Sequence, residues 1–187
     1  MDKELEAQIE KKVKEILDAE LGMRISQAVR EGQVESRAAF IASKGTLDMA
    51  YIPLILASSC AALDIESAIF FTFYGLDILN KKKIKNLKVP PLANPAMPMP
   101  VPNIIGVLPG MTAMATMMMN KWMAAQNVPT IENLLTTCLE SDVRLIACQM
   151  TMDVMGVKKE DLIDGIEFGG AATFLEYASK CNITLFI

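Results

Sequence analysis

The chain has 187 residues, 52% of them hydrophobic and 21% charged, with a formal net charge of −4. That length suits one domain with a substantial core, and that composition excludes a globally disordered chain. Mild acidity without a basic stripe interleaved with aromatics argues against a nucleic-acid partner.

Residues 1–36 read as a charged helical extension. Leu5, Ile9, Val13, Ile16 and Leu17 follow helical spacing between Glu and Lys residues, and Gly22 interrupts the pattern. A narrow apolar stripe on a short charged helix needs a partner surface, because such a helix is marginal alone in water. The domain proper is expected over 37–187. Residues 38–42 form a short apolar run that predicts a buried strand, and 43–46 a turn. A mostly apolar helix follows over 47–63, with Pro53 tolerated only near its first turns. Residues 65–73, rich in Ile, Phe and Thr, predict a strand. Tyr74 and Gly75 turn the chain, and a short helix is expected over 76–83. Lys81, Lys82, Lys83 and Lys85 then read as a solvated helix terminus.

Seven of the nine prolines lie between Pro90 and Pro109, which predicts a long loop. A Met-rich helix is expected over 111–126, inserted with that loop into the domain. The uncharged stretch 89–120 lacks the roughly 20 continuous helical residues a membrane span needs. Its Met face is suited instead to a partner or to a membrane surface. Residues 130–140 predict a helix capped by Thr130. A strand over 143–147 ends at Cys148, and a short helix to Met155 is closed by Gly156. A helical turn over 158–163, punctuation at Gly169 and Gly170, a helix over 171–180 and a strand over 183–187 complete the chain. Alternating helices and strands predict an α/β fold with a parallel sheet covered on both faces.

The chain contains no histidine. That excludes Cys-His and Ser-His catalysis and histidine-containing zinc sites, and no metal site is expected. The four cysteines, Cys60, Cys138, Cys148 and Cys181, form no CxxC pair. No secretory signal pattern opens the sequence. Dispersed cysteines in that context predict a reducing, cytoplasmic interior and not a disulfide framework. Ligands of open parallel sheets bind beyond the carboxyl ends of the strands. Three such ends can be placed: 43–46, 73–75 and 148–151. Cys148 is the only cysteine at one of them, and a helix start follows it. Free N–H groups and the helix dipole there stabilise a thiolate or persulfide, so its pKa is expected to fall. Lys44 adds a cation if its strand is a neighbour. The bland reading stays open, since a cysteine closing a buried strand is often inert core. Cys60 and Cys138 lie within predicted helices and Cys181 beyond one, so packing roles are expected. The Met run reads first as helical core or subunit packing.

Several segments resemble the DsrE/DsrF/DsrH family, in particular its DsrE2 branch. They are 71–76 (Phe-Thr-Phe-Tyr-Gly-Leu), 147–156 around Cys148, 158–165, and the closing Leu185, Phe186 and Ile187. The likeness covers about residues 37–187. It implies a flavodoxin-like three-layer α/β/α domain that assembles into homo-oligomers. It also implies that Cys148 carries sulfur as a persulfide or thiosulfonate, exchanged with TusA-type carriers or rhodaneses. The sequence departs from the family where Asp48 is followed by Met49 and not by Lys, and where Tyr74 replaces Trp. The expected pocket comprises Lys44, Gly45, Asp48, Phe73, Tyr74, Gly75, Gln149 and Thr151 around Cys148, with Cys60 and Cys138 as secondary thiols. No cofactor is expected, because an ionised thiol attacks directly. Two other readings are carried. One is a docking module using the Met-rich helix. The other is a pocket for a small anionic nucleotide, although no glycine fingerprint supports it.

Overall fold

The computed structural model describes residues 11, 12, 14, 19–24, 36–90 and 110–187. It divides into two compact units, Met1–Glu35 and Ser36–Ile187. In the first unit the described residues are helical. The expectations for the rest of that segment, and for the proline-rich loop beyond Pro90, lie outside the described residues.

The second unit is built on five strands: β1 (Arg37–Ala42), β2 (Glu66–Phe71), β3 (Arg144–Cys148), β4 (Glu167–Gly169) and β5 (Ile183–Phe186). All pairings are parallel, in the order β4-β3-β2-β1-β5. Parallel neighbours need crossovers. These include α1 (Leu47–Ala62), α2 (Met111–Ala125), α3 (Ile131–Glu140), α4 (Gln149–Met155) and α5 (Ala171–Ala178). Side chains alternate across each strand. Phe40, Ile69, Phe71, Leu145 and Ala147 share a core with Leu54, Ala57, Leu134 and Leu135 of α1 and α3. Ala39, Ala68, Phe70, Ile146 and Cys148 cluster on the other face with Phe174 and Tyr177 of α5. Helices therefore lie on both sides of the sheet, and the result is a three-layer α/β fold.

Most expected elements are present within a residue or two. Thr130 caps α3 as expected, its hydroxyl accepting the Asn133 N–H at 3.2 Å. Pro53 lies in the second turn of α1, buried. Two expectations fail and one strand is unforeseen. Residues 76–83 form no α-helix; a 3-10 turn spans Phe73–Ile78, tightened because Gly75 must approach β1. β4 was not expected at all, since three residues before two glycines are too few to show a period of two. The lysine run does not cap a helix. Lys81, Lys82, Lys83 and Lys85 pair with Asp164, Asp161, Asp77 and Glu132.

The two faces are unequally covered. α1 and α3 pack over one, while α5, only eight residues long, is the helix of the other cluster. Edge strand β5 keeps Ile183, Leu185 and Phe186 between 41% and 72% exposed. α2 buries none of its residues fully, although Met119 and Met123 pack on the core.

Candidate functional site

Because all five strands are parallel, every carboxyl end lies on one edge of the sheet. β1 ends there in Ser43, Lys44, Gly45 and Thr46, β2 in Thr72 and Phe73, and β3 in Cys148. Two glycines let these ends meet. A Cβ on Gly75 would run into the Ala42 carbonyl oxygen, and one on Gly45 into the Tyr74 carbonyl oxygen. Glycine is required at both positions because backbone approaches backbone. Gly45 is thus held against Tyr74, and Gly75 against Ala42 and Ser43.

The end of β2 is tied to α4 by Thr151. Its hydroxyl lies 3.1 Å from the Thr72 hydroxyl and accepts the Phe73 N–H at 3.3 Å. Thr151 is 2% exposed, so its hydroxyl is committed to the edge itself. Phe73 has φ of 47°, a left-handed conformation rare for a bulky residue. Its ring and that of Tyr74 point outward, 55% and 66% exposed. Met150 and Val154 of α4 are exposed as well.

Cys148 is the N-cap residue of α4, with extended backbone (φ −70°, ψ 109°). Strand therefore passes into helix at the sulfur-bearing residue, as expected. The thiol is not open to solvent. Positions 144, 146 and 148 of β3 face α5, so Cys148 closes that series inside the Phe70–Phe174 cluster and is 3% exposed. Phe70 and Phe174 stack there with centroids 5.0 Å apart. Among the described residues, no hydrogen bond reaches the Cys148 sulfur. Its neighbours Gln149 and Met150 are exposed, so solvent is one residue away.

Of the remaining pocket residues, Asp48 sits in the first turn of α1. Among the described residues its Oδ1 is buried without a partner, as is the Thr46 hydroxyl. Lys44 is exposed and forms no ion pair among the described residues. The other cysteines are elsewhere. Cys60 accepts at its carbonyl from Ile65, just before β2, and Cys138 from Val143, just before β3. Cys181 precedes β5. All three lie toward the amino edge of the sheet. Burial pushes the Cys138 thiol up to about 11 and raises Cys60 and Cys181 as well. At roughly 3.3 Å per residue, five-residue β3 separates the two edges by about 16 Å. A disulfide needs Cα atoms within about 7 Å. Neither Cys60 nor Cys138 is brought to Cys148, and both lie on the opposite face of the sheet.

Residues 34–186 match the model of the DsrE/DsrF/DrsH-like family. The chain belongs to that family. It is 48% identical over 159 residues to the sulfur carrier protein DsrE2 of Allochromatium vinosum, covering 82% of this chain and 99% of that protein. It is 30% identical over 154 residues to the uncharacterized protein YrkE of Bacillus subtilis, covering 81% of this chain and 96% of YrkE. The YchN protein from E. coli is similar in structure at a TM-score of 0.47 and 11% identity, over 81% of this chain and 99% of YchN. In this DsrE-like chain the Thr72–Thr151 link and the left-handed Phe73 were not legible in sequence. The aromatic run leaving β2 was the one available signal. Among the described residues no helix is long and apolar enough to cross a membrane.

Proposed function

We propose that this chain is a sulfur carrier in which Cys148 takes up sulfane sulfur and gives it to a thiol of another protein. The observation that carries this reading is the position of Cys148. It is the only cysteine among the described residues at the carboxyl edge, where a parallel sheet meets its ligands, in a chain nearly half identical to a named sulfur carrier. In the uptake step the Cys148 thiolate attacks the outer sulfur of a donor persulfide. The donor S–S bond breaks, the donor thiolate leaves, and a new S–S bond holds the sulfur on Cys148. Delivery is the same exchange with Cys148 as the leaving group. No net oxidation occurs and no cofactor is consumed.

Burial of the thiol sets a condition on this chemistry. The cover that Phe174 of α5 helps form over Cys148 must open locally for exchange and closes over the loaded sulfur afterwards. Closure protects a persulfide from solvent reductants. Once the edge opens, the N–H groups of residues 149–151 face an anionic sulfur, and Lys44 and Asp48 border its approach. TusA-type carriers and rhodaneses are the partners this reading favours. Homo-oligomers and a reducing cytoplasmic interior belong to the same reading, with the α/β domain 37–187 as the functional part. Tetrathionate treatment followed by tryptic digestion tests it, because the peptide 145–158 contains Cys148 as its only cysteine. A sulfur adduct on that peptide is expected. Adducts confined to the Cys60, Cys138 or Cys181 peptides would overturn the assignment.

A further inference from the structure

Cys148 pairs with Gly169 across β3 and β4, and paired residues of parallel strands direct their side chains to the same face. Neighbouring strands lie roughly 4.8 Å apart. The place beside the Cys148 side chain is therefore one that Gly169 leaves without a side chain. Thr173 of α5 takes it. A Cβ on Gly169 would stand 3.0 Å from the Thr173 Cβ and 3.1 Å from its Oγ1. We infer that the Thr173 hydroxyl receives the terminal sulfur of a Cys148 persulfide and donates a hydrogen bond to it. This rests on the sulfur-carrier reading above.

The surroundings of the thiol select this hydroxyl. Cys148 is 3% exposed, without a hydrogen-bond partner among the described residues, and packed in a cluster with Phe70, Ile146 and Phe174. An anion in such apolar company is costly unless a donor meets it. A persulfide adds one S–S bond, about 2 Å, to the reach of the side chain, which spans part of the way to the slot over Gly169. Tyr177 supplies the other hydroxyl of the cluster. It lies one turn further along α5, where Arg144 at the opposite end of β3 stands 5.1 Å from its ring centroid. Thr173 is thus the hydroxyl at the sulfur's end of the strand. Its exposure gives the slot a route to solvent. The N–H groups of Ala171, Ala172 and Thr173 share this first turn. They precede the first intrahelical bond, which Phe174 donates to the Gly170 carbonyl at 3.2 Å. Gly170, the N-cap, has no side chain to satisfy them. They add positive potential on the side of α5 nearest the anion.

The test measures how sulfur partitions between Cys148 and glutathione. The Cys148 thiolate attacks the outer sulfur of glutathione persulfide, the donor S–S bond breaks, and glutathione leaves as a thiolate. Intact mass gives the loaded fraction at equilibrium over a range of glutathione persulfide to glutathione ratios. Thr173→Val keeps the shape of the side chain and removes the donor. Its partition constant is expected to fall at least about tenfold, the worth of a hydrogen bond to a charged group. Thr173→Ser retains the hydroxyl and should stay within about threefold of wild type. Equal constants for wild type and Thr173→Val, or an equal fall in both variants, overturn the role of Thr173 and leave the carrier reading standing. Wild type that takes sulfur neither from glutathione persulfide nor from inorganic polysulfide overturns both.

Discussion

At position 151 a hydroxyl that valine would match in shape meets Thr72 and accepts the Phe73 N–H inside the protein. Thr151→Val leaves the Phe73 donor and the Thr72 hydroxyl without that partner, at a cost of about 1–3 kcal/mol. Urea unfolding checks this, and an unchanged midpoint would show the link to be dispensable. Cys138 lends itself to a second experiment at this scale. Its thiol is pushed up to about 11 by burial, whereas an unfolded thiol titrates near roughly 8.5. The folded state therefore keeps the proton longer than the unfolded state. The stability tied to the neutral thiol is fully present below roughly 8.5 and is lost as pH rises through about 11. Cys138→Ala should thus show a shallower fall of unfolding free energy over that window than wild type. Parallel curves would contradict the burial argument.

Elements were legible where local and global preferences agree. β1, β2 and β3 are short apolar runs whose two faces are both covered, and continuous hydrophobicity is what such burial demands. Thr130 announced the start of α3 because only a short polar side chain satisfies its first N–H groups. The helix expected over 76–83 does not form, because Gly75 is pressed against Ala42 and the chain tightens into a 3-10 turn there. Tertiary contact decides that turn. The candidate site was legible as three loops on one edge, since parallel topology alone brings 43–46, 73–75 and 148–151 together. The burial of Cys148 was not, because it depends on which face of β3 meets α5. A strand taken alone carries no label for its faces. The lysine run likewise needed its acidic partners from 132, 161 and 164, distant in sequence.

At the scale of the whole domain, the sheet separates its cysteines. One edge holds Cys148 and the other holds Cys60, Cys138 and Cys181, with the length of a strand between them. A thiol oxidant applied to the folded protein should therefore give no intramolecular disulfide at Cys148. Non-reducing peptide mapping reads this out. A Cys148–Cys138 or Cys148–Cys60 bridge formed without unfolding would contradict the topology.

In the proposed carrier reading, sulfur exchange takes a donor and an acceptor from outside, with Cys148 as the relay between them. Intact mass spectrometry of wild type and Cys148→Ser after brief exposure to inorganic polysulfide tests that claim most directly. Wild type should gain the mass of a bound sulfur that a thiol reductant removes, and Cys148→Ser should gain none. No gain on wild type, or the same gain on both, would contradict it.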